Sequence, residues 1–550
     1  MSVPRKSYLH AASSISLTGK TLCDALDQAA TDFPGREAFV FALKSETQRV
    51  TFKQLRQDVV DLASGLVHLG LKPGERVGIW ANNCYEWVTS FYAMAYAKLV
   101  CVRVPVGYNE SYLEHLVKKT KMAALIIGPG DQEKVLLNVA PEVSDESSSL
   151  TAAELPSLKT VIHLGSDRKP GMIRFADVMK LGDHNDLRLV GKLRETVDPD
   201  DEVMLLATSG STGLPKVVAK SHKCSLENTH VLCRHVAEIV KADMCCMSMS
   251  QFFHVGGDLS MVGGVSLGYR VIIPDSKNDA AIAVNLIQEE RVTVAMLMYT
   301  HLVDFLNYWK LKKPDMTNLK CLVTGGNNIP KDMLEEVRQK LNLSIHTVLG
   351  TTETGFITIN NNPEKFQKVG YPLDHYEVKI IDDKGHVVPR GTVGELCTRS
   401  PYTMLRYEGD DEQTKSTVDQ SGWYHTGDMC KLEEDGCLDI MGRKKDVIIR
   451  GEVNVYPLEV DRVLVRHPAV KVSQTIGVPD VRFIEEICAC VCLREGEEAT
   501  ADEILQFARQ FLPENRVPKY ILFFESLPSN RIGKFLPRQL QERAKKILGM

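Results

Sequence analysis

Residues 208–216, TSGSTGLPK, combine glycines, hydroxyl side chains and a lysine in one short segment. Backbone N–H groups, hydroxyls and an ammonium group are the groups that bind phosphate oxygens in glycine-rich loops. The common P-loop needs Gly-Lys followed by Ser or Thr, whereas here Pro215 precedes Lys216 and Val217 follows it. We therefore expect a phosphate-binding turn of a different kind, although a solvent-facing turn has the same composition. The candidate residues of this turn are Thr208, Ser209, Gly210, Ser211, Thr212, Gly213, Leu214, Pro215 and Lys216.

A second polar turn, GTTETG at 350–355, places one acid between hydroxyls and glycines. A carboxylate in such a turn can help to hold Mg²⁺, which uses few protein ligands and completes its shell with phosphate oxygens and water. We expect Glu353 to be that carboxylate. Gly350, Thr351 and Thr352 belong to the same candidate nucleotide-binding turn.

Three charged residues later in the chain fit a nucleotide site. Asp428 ends the segment WYHTGD, and a carboxylate can accept hydrogen bonds from both hydroxyls of a ribose. Arg443 follows in GRKKD, and Lys534 comes after a glycine close to the C-terminal end. Each alone also fits an ordinary role, as a turn former, a surface ion pair or a solvated charge. Their order after the two polar turns makes the nucleotide interpretation much more specific.

The elements that must position these residues alternate along the chain. Helix-like segments at 50–71 and 84–98 alternate with apolar runs at 76–81 and 99–106, and the pattern returns between 271 and 324. This order predicts an α/β fold with mostly parallel sheets covered by helices. The segments 201–207 and 217–222 both read as strands, so we expect the phosphate turn to join a hairpin. The following helix is expected to begin near Ser225.

The pattern changes in the last third of the chain. From about 370, YEVKIIDD, VGELCTRS and CLDIMGR predict short strands separated by Gly and Asp turns, as in a small β-rich subdomain. After about 445 a smaller α+β unit is predicted, with helices near 457–467 and 501–511 and strands around 471–478 and 486–493. The polar segment 144–158 is expected to be a surface loop.

The composition excludes several classes of protein. The hydrophobic content of 44%, the charged content of 25% and the net charge of −5 are ordinary for a soluble globular protein and give no broad electrostatic case for nucleic-acid binding. The 14 cysteines show no pair of zinc-type motifs, so we expect buried thiols in a reducing compartment. No apolar run reaches the ~18 residues that a membrane span needs. The N-terminal segment has no signal-peptide core and no clear mitochondrial presequence, and the C-terminal ILGM is not a peroxisomal signal.

In this order, the five motifs make the chain resemble the AMP-forming adenylate ligases, the superfamily of acyl-CoA synthetases, firefly luciferases and the adenylation domains of nonribosomal peptide synthetases. The resemblance covers nearly the whole sequence. The segments YLHAAS, EEICACVCLREGEE and VPKYILFF are most similar to a mitochondrial medium-chain fatty-acid-activating branch. The resemblance implies an acid–thiol ligase that uses ATP, Mg²⁺ and CoA to convert a medium- to long-chain fatty acid into its CoA thioester.

The same resemblance implies roles for individual residues. TSGSTGLPK would hold the β- and γ-phosphates, Thr352 would contact phosphate, and Glu353 with Thr208 would bind Mg²⁺. Asp428 and Arg443 would contact the ribose. Lys534 would bridge the attacking carboxylate and the phosphate, where a cation lowers the repulsion between two anions. His254 and Gly326 would lie at the acyl pocket, with 292–306 lining part of it, although core packing predicts the same apolar composition there.

The resemblance also implies two domains that move relative to each other. The hinge would be at Lys445, between an adenylate-forming domain of residues 1–444 and a mobile lid domain of residues 445–550. After acyl-adenylate formation the lid would rotate, and the thiol of CoA would attack the acyl carbonyl and expel AMP.

Several positions depart from the family pattern. Leu349 stands where an aromatic ring usually stacks on adenine. The loop after the hinge reads GEVN, with Glu452 in place of a glycine, and Ile484-Glu485 replaces a Gly-Glu pair. A side chain in the loop could obstruct the thiol, because glycine allows backbone geometry that other residues do not. The adenylation residues are therefore intact, while the surface for thioester formation differs.

Three functions remain open at this point: the CoA ligase, an adenylate-forming enzyme with another acceptor or luciferase-like oxidation, and a diverged acyl-binding relative with weak catalysis. The retained Glu353, Asp428, Arg443 and Lys534 argue against the third. The resemblance favours the mitochondrial matrix, and the lack of a clear presequence leaves the cytoplasm as the alternative.

Overall fold

The computed structural model describes residues 5–13, 15–42, 47–145, 152–208, 214–241, 243–275, 280–325, 331–366, 368–451, 453–529 and 535–550.

The strands in chain order are β1 Tyr8–His10, β2 Glu37–Ala42, β3 Thr47–Thr51, β4 Arg76–Trp80, β5 Val100–Arg103, β6 Ala124–Ile127, β7 Thr160–His163, β8 Ile173–Arg174, β9 Glu202–Ala207, β10 Val217–Ser221, β11 Cys245–Ser248, β12 Arg270–Pro274, β13 Val294–Met296 and β14 Cys321–Gly325. They continue with β15 Ser344–Thr351, β16 Gly355–Asn360, β17 Tyr371–Pro372, β18 Glu377–Ile381, β19 Gly394–Arg399, β20 Arg406–Tyr407, β21 Tyr424–Leu432, β22 Leu438–Arg443, β23 Ile448–Arg450, β24 Val453–Val455, β25 Val470–Asp480, β26 Ile484–Leu493 and β27 Tyr520–Phe523.

The helices are α1 Leu22–Asp32, α2 Phe52–His68, α3 Tyr85–Tyr96, α4 Glu110–Thr120, α5 Asp131–Val139, α6 Phe175–Val178, α7 His184–Glu195, α8 His222–Val240, α9 Asp258–Leu267, α10 Ala280–Glu289, α11 Tyr299–Lys312, α12 Lys331–Leu341, α13 Asp411–Thr417, α14 Pro457–Leu464, α15 Ala501–Arg509 and α16 Pro537–Leu548.

Two large sheets form the body of the protein. One has the order β20-β10-β9-β5-β4-β6-β7-β8 and the other β17-β16-β15-β14-β13-β11-β12-β2-β3. Helices α1, α2, α3, α8 and α9 bury their apolar faces between them in one shared core. Helices α4 and α5 cover the outer face of the first sheet, and α10, α11 and α12 cover that of the second. The layered, mostly parallel α/β architecture predicted from the alternating pattern is confirmed.

The antiparallel pairs of these sheets lie toward their ends. The strands β9 and β10 pair antiparallel, as do β15 and β16, while the neighbouring pairs β5–β9 and β14–β15 are parallel. Both hairpins turn at the carboxyl ends of β9 and β15, which is the edge where open α/β sheets bind ligands. The turn of the first hairpin is TSGSTGLPK and the turn of the second lies in GTTETG.

The start of the helix after the first hairpin differs from the prediction. Helix α8 begins at His222 rather than near Ser225, because the Ser221 hydroxyl caps it by accepting a hydrogen bond from the backbone N–H of Cys224. The helix is buried on most sides between the two sheets. The polar residues Ser221 and His222 therefore look like a loop in the sequence, although the helix begins directly at the end of β10.

A smaller antiparallel sheet, β1-β18-β19-β21-β22, forms the predicted β-rich subdomain. Its outer strand β1 comes from the beginning of the chain and pairs with β18 in the register Tyr8 to Lys379. The phenol of Tyr8 donates to the Glu377 carboxylate at 2.6 Å. The short segment YLH carries no periodic pattern, so sequence reasoning did not predict this strand.

The C-terminal α+β unit contains the sheet β24-β23-β26-β25, with β27 parallel to β26. Its helices α14 and α15 cover one core and α16 another. These elements match the predicted helices and strands to within a few residues.

The cysteines are free thiols, and all are buried except the half-buried Cys84. The expectation of buried, unbridged thiols is confirmed. Among the described residues, no helix is both long enough and apolar enough to cross a membrane.

Candidate active site

The phosphate turn is closed at its base by the strands that flank it. The backbone N–H of Thr208 donates to the carbonyl of Lys216 at 2.8 Å, one step beyond the pair Ala207–Val217. Pro215 is buried and Leu214 is exposed. The predicted hairpin is therefore confirmed, while Ser209, Gly210, Ser211, Thr212 and Gly213 lie outside the described residues.

Lys216 and Glu353 come together around one tyrosine. The ammonium nitrogen of Lys216 lies 4.8 Å from the ring centroid of Tyr407, and the Tyr407 hydroxyl donates to Oε1 of Glu353 at 2.8 Å. The backbone N–H of Met404 donates to the carbonyl of Glu353 at 2.7 Å. A cation and a carboxylate predicted from separate motifs are therefore neighbours, as a site for a metal–phosphate complex requires.

The turn that carries Glu353 is held by hydrogen bonds to helix α8. The Asn228 side chain on α8 accepts from the Phe356 N–H at 2.7 Å and donates to the Phe356 carbonyl at 2.8 Å. Gly355 has a φ of +76°, and a Cβ at this position would lie 2.2 Å from Asn228. Within the turn, the Thr351 and Thr354 hydroxyls are 2.9 Å apart. Thr352 and Glu353 are half-buried at its tip.

Asp428 and Arg443 are cross-strand neighbours on β21 and β22. Arg443 Nε lies 2.9 Å from Asp428 Oδ1, and Arg443 Nη1 donates to the Thr426 carbonyl at 2.9 Å. The Asp428 side chain is 6% exposed, whereas that of Arg443 is 40% exposed. The two predicted ribose contacts therefore form one unit, in which the guanidinium orients a nearly buried carboxylate.

Cations gather around the predicted hinge residue. Burial lowers the pKa of Lys445, and the positive charges of Arg443, Arg538 and Lys216 lower it further, while Asp446 opposes the shift. Arg538 belongs to α16 of the C-terminal unit and Lys216 to the phosphate turn. Parts of the chain that are far apart in sequence thus place positive charge around Lys445, where binding of a polyphosphate would be favoured.

The loop that carries His254 is anchored by a buried ion pair. Arg103 Nη2 lies 2.7 Å from Asp258 Oδ1, and the two side chains are 0% and 2% exposed. Arg103 Nη1 also donates to the carbonyls of Phe252 and His254, at 3.2 and 3.4 Å. The Ser225 hydroxyl donates to the other oxygen of Asp258. The backbone around His254 is therefore fixed from inside the protein.

Three further sequence-predicted positions lie outside the described residues, in addition to the five of the phosphate turn: Lys534, the pocket residue Gly326 and the loop residue Glu452. Leu349 is described and packs, partly buried, against the core between the sheets and against the core of the β-rich subdomain. The segment 292–306 contains β13 and the start of α11. Val294 and Met296 point into the core between the sheets, while its other buried apolar side chains join the core under the second sheet.

The residues present fit a magnesium ion only together with phosphate. Among the described residues, no group of three or more His, Cys, Asp and Glu could hold a metal. Glu353 offers a half-buried carboxylate beside Lys216, and Mg²⁺ characteristically combines one or two carboxylates with substrate phosphates. The donor set thus suits a metal that arrives with the nucleotide.

Ile484 adopts a backbone conformation that its side chain disfavours. Its φ is +70°, and its side chain is exposed. It stands where the resemblance places a glycine, and it pairs with Arg450 beside the loop that contains Glu452. A β-branched residue in the left-handed region is strained by about 1–2 kcal/mol.

We expect Ile484→Gly to stabilise the C-terminal unit by about 1 kcal/mol, because the strain is relieved while no buried contact is lost. Slower hydrogen exchange of the β25 and β26 amides would show the gain. Ile449→Gly is the matched control, since Ile449 is also exposed but lies in β23 with a negative φ. This change relieves no strain and should destabilise the sheet. Amide exchange in Ile484→Gly that is as fast as in the wild type, or faster, would contradict the claim that Ile484 is strained.

Sequence reasoning missed three residues of the site: Tyr407, Asn228 and Arg103. Tyr407 is 54 positions from its partner Glu353, and Asn228 is 128 positions from Phe356. Arg103 stands in the apolar run LVCVRVPV, where its charge is the one feature that distinguishes it from a core residue. A charged residue inside a predicted buried strand needs a partner, and this rule could have singled out Arg103.

Known proteins match the chain along its length. The AMP-binding enzyme family matches residues 26–408, and the AMP-binding enzyme C-terminal domain matches 459–534. The mitochondrial medium-chain acyl-CoA ligase of Danio rerio is 31% identical over 559 residues, covering 99% of this chain and 91% of that protein. The human protein of the same name is 32% identical and covers 98% of this chain and 90% of its own length.

Solved structures show the same fold. The anthranilate CoA ligase AuaEII, in complex with anthranoyl-AMP, superposes with a TM-score of 0.84 at 21% identity and covers 98% of this chain and 99% of its own. The amide bond synthetase McbA of Marinactinospora thermotolerans gives a TM-score of 0.81 at 24% identity, covering 95% and 99%. The two matched regions include both hairpins and most of the C-terminal unit. This chain belongs to the AMP-binding enzymes, the superfamily of adenylate-forming acyl-CoA ligases.

Proposed function

We propose that the protein is an ATP-dependent acid–thiol ligase that activates a medium- to long-chain fatty acid as acyl-AMP and transfers the acyl group to CoA. The observation that carries this proposal is the meeting of Lys216 and Glu353 around Tyr407, a side chain that also feels the charge of Arg443, the partner of Asp428. The names of the relatives that match nearly the whole chain support CoA as acceptor and a medium-chain acid as substrate.

In the first half-reaction the acid carboxylate attacks the α-phosphorus and pyrophosphate leaves. The phosphate turn with Lys216 would hold the leaving phosphates, Thr352 would contact a phosphate oxygen, and the Asp428–Arg443 unit would orient the ribose. Lys534 would stand between the two reacting anions. Preorganised cations of this kind stabilise charge that develops in the transition state.

Magnesium would be held by Glu353, with Thr208 as the second candidate protein ligand, and it supplies charge neutralisation of the phosphates. Glu353 itself is held by Tyr407 and by the rigid turn, so its carboxylate is positioned before the nucleotide arrives. The gathering of Lys445, Arg443, Arg538 and Lys216 favours the polyphosphate independently of the metal.

In the second half-reaction we place the domain boundary at the hinge, with residues 1–444 as the adenylate-forming domain and 445–550 as the lid. The cationic surroundings of Lys445 support a hinge that responds to the substrate. The charged form of a partly buried lysine among other cations is destabilised until an anion binds beside it. The acyl chain would enter beside His254, whose loop the Arg103–Asp258 pair fixes.

A second candidate function is supported by one sequence feature. Glu452 replaces a glycine in the loop that would close around the CoA thiol, which favours an acceptor other than CoA. Product analysis separates the two candidates, because only the ligase makes a CoA thioester together with AMP.

We expect the wild-type protein to release pyrophosphate with ATP, Mg²⁺ and fatty acids near C8 in a panel from C4 to C18. CoA should accelerate turnover and yield the thioester, detected by mass spectrometry. Pyrophosphate release without thioester would support the other acceptor. A chain that binds fatty acids but releases no pyrophosphate with any acid would be a non-catalytic acyl-binding relative.

The relatives named mitochondrial support a mitochondrial matrix location, with the cytoplasm as the alternative. Imaging of the full chain with a C-terminal tag tests this, and a diffuse signal outside mitochondria would contradict it.

A further inference from the structure

Tyr407 occupies a position between the two nucleotide-binding turns. It lies on β20, and its partner on β10 is Val218, which follows the phosphate turn by two residues. Its side chain belongs to a small cluster with Val218 and Met404, and the residue is 3% exposed. The ring is therefore held in place by β10, the strand that directly follows Lys216.

Both functional groups of the Tyr407 side chain are in use. The ring face meets the Lys216 ammonium at 4.8 Å, which is within the range of cation–π attraction. The hydroxyl donates to Oε1 of Glu353 at 2.8 Å, a hydrogen bond to a charged acceptor. One side chain thus touches the lysine of the first turn and the carboxylate of the second.

The backbone of Tyr407 is also fixed. Its N–H donates to the Thr414 hydroxyl at 2.9 Å, and the neighbouring Met404 N–H donates to the Glu353 carbonyl at 2.7 Å. A carboxylate held through one oxygen keeps a fixed direction for the other.

We infer that Tyr407 is a positioning residue of the reaction, which sets the direction of the Glu353 carboxylate and the place of the Lys216 ammonium before Mg·ATP binds. The inference rests on the proposed function, because it takes Glu353 and Lys216 to bind Mg²⁺ and phosphate. Tyr407 itself touches neither substrate nor metal in this role. Its effect is exerted through the two residues that do.

Tyr407→Phe removes the hydrogen bond and keeps the ring over Lys216. We expect the KM for ATP and the Mg²⁺ concentration for half-maximal pyrophosphate release to rise roughly tenfold, as for the loss of a hydrogen bond to a charged group. The KM for the fatty acid should stay within twofold. Tyr407→Leu also removes the ring, and we expect a further loss in ATP affinity of roughly two- to fivefold.

Tyr8→Phe is the matched control, because it deletes a tyrosine–glutamate hydrogen bond of 2.6 Å in the β-rich subdomain. Its ATP and Mg²⁺ dependence should equal those of the wild type. In a Glu353→Ala background, adding Tyr407→Phe should change the Mg²⁺ dependence by less than twofold. A tenfold effect in that background would overturn the inference, as would wild-type kinetics in Tyr407→Phe with correct folding confirmed by circular dichroism.

The failure of the proposed function would be recognised separately. It would appear as no pyrophosphate release by the wild type with any acid. Calorimetric titration of the same variants with Mg·ATP would then decide the role of Tyr407. Weaker binding by Tyr407→Phe than by Tyr8→Phe would support it, and equal binding would overturn it.

Discussion

Lys534→Ala is expected to lower the rate of pyrophosphate release by roughly 10²- to 10³-fold, because the role proposed for Lys534 is to stand between the two reacting anions. The KM for ATP should change little, since the phosphate turn, Glu353 and the Asp428–Arg443 unit remain. Thioester formation from supplied acyl-adenylate should be retained. The expectation rests on the family resemblance.

Lys546→Ala is the control for this change, because it deletes an exposed lysine near the end of α16, elsewhere in the C-terminal unit. It should leave both half-reactions intact. A loss of less than fivefold in Lys534→Ala would show that another cation bridges the carboxylate and the phosphate. Arg538 and Lys445 would then be the next residues to replace.

Arg103→Leu is expected to lower the free energy of unfolding of the N-terminal part by about 3 kcal/mol, because it leaves the buried Asp258 carboxylate without its guanidinium. The change also removes the donor to the Phe252 and His254 carbonyls and the cation over the Phe91 ring at 4.8 Å. Lys220 is buried nearby and feels the Asp258 charge, so the loss should be at the lower end of the usual range for a broken buried pair.

Guanidinium unfolding followed by tryptophan fluorescence measures this effect, since Trp87 lies 5.5 Å from the Arg103 guanidinium. Adding Asp258→Asn to Arg103→Leu should recover part of the stability, because the core then no longer holds the Asp258 carboxylate without its guanidinium. Arg399→Leu breaks a more exposed pair with Glu377 and should cost less than about 1 kcal/mol. An Arg103→Leu protein as stable as the Arg399→Leu protein would contradict the role of the buried pair.

Local sequence patterns were sufficient for the layered fold and for much of the site. The hairpin at 208–216 followed from two apolar runs around a glycine-rich segment, and the β-rich subdomain followed from short strands separated by turns. The start of α8 was wrong by three residues, because the Ser221 cap and the polar His222 look like a loop in sequence. Element ends depend on such single hydrogen bonds.

The contacts that hold the site together could not be predicted from local patterns. The bond between Tyr407 and Glu353, the clamp of Asn228 on Phe356 and the pair Arg103–Asp258 all join elements that meet only in the folded chain. Each residue alone fits an ordinary strand or helix. The sequence indicated the candidate groups for the chemistry, whereas the groups that orient them depend on sheet order and packing.

The pairing of β1 with β18 has a consequence for how the protein is made. Tyr8 and Glu377 are 369 positions apart. At a synthesis rate of roughly 5–20 residues per second, the first strand waits about 20–70 s on the ribosome for its partner. All strands of the two large sheets except β20 precede Glu377 in the chain, so most of these sheets can assemble around α2, α3 and α8 during that interval, but the β-rich subdomain cannot close. The first strand to be synthesised is therefore among the last to be paired. The timing of translation, rather than strand propensity, decides when the sheet that carries Asp428 and Arg443 is complete.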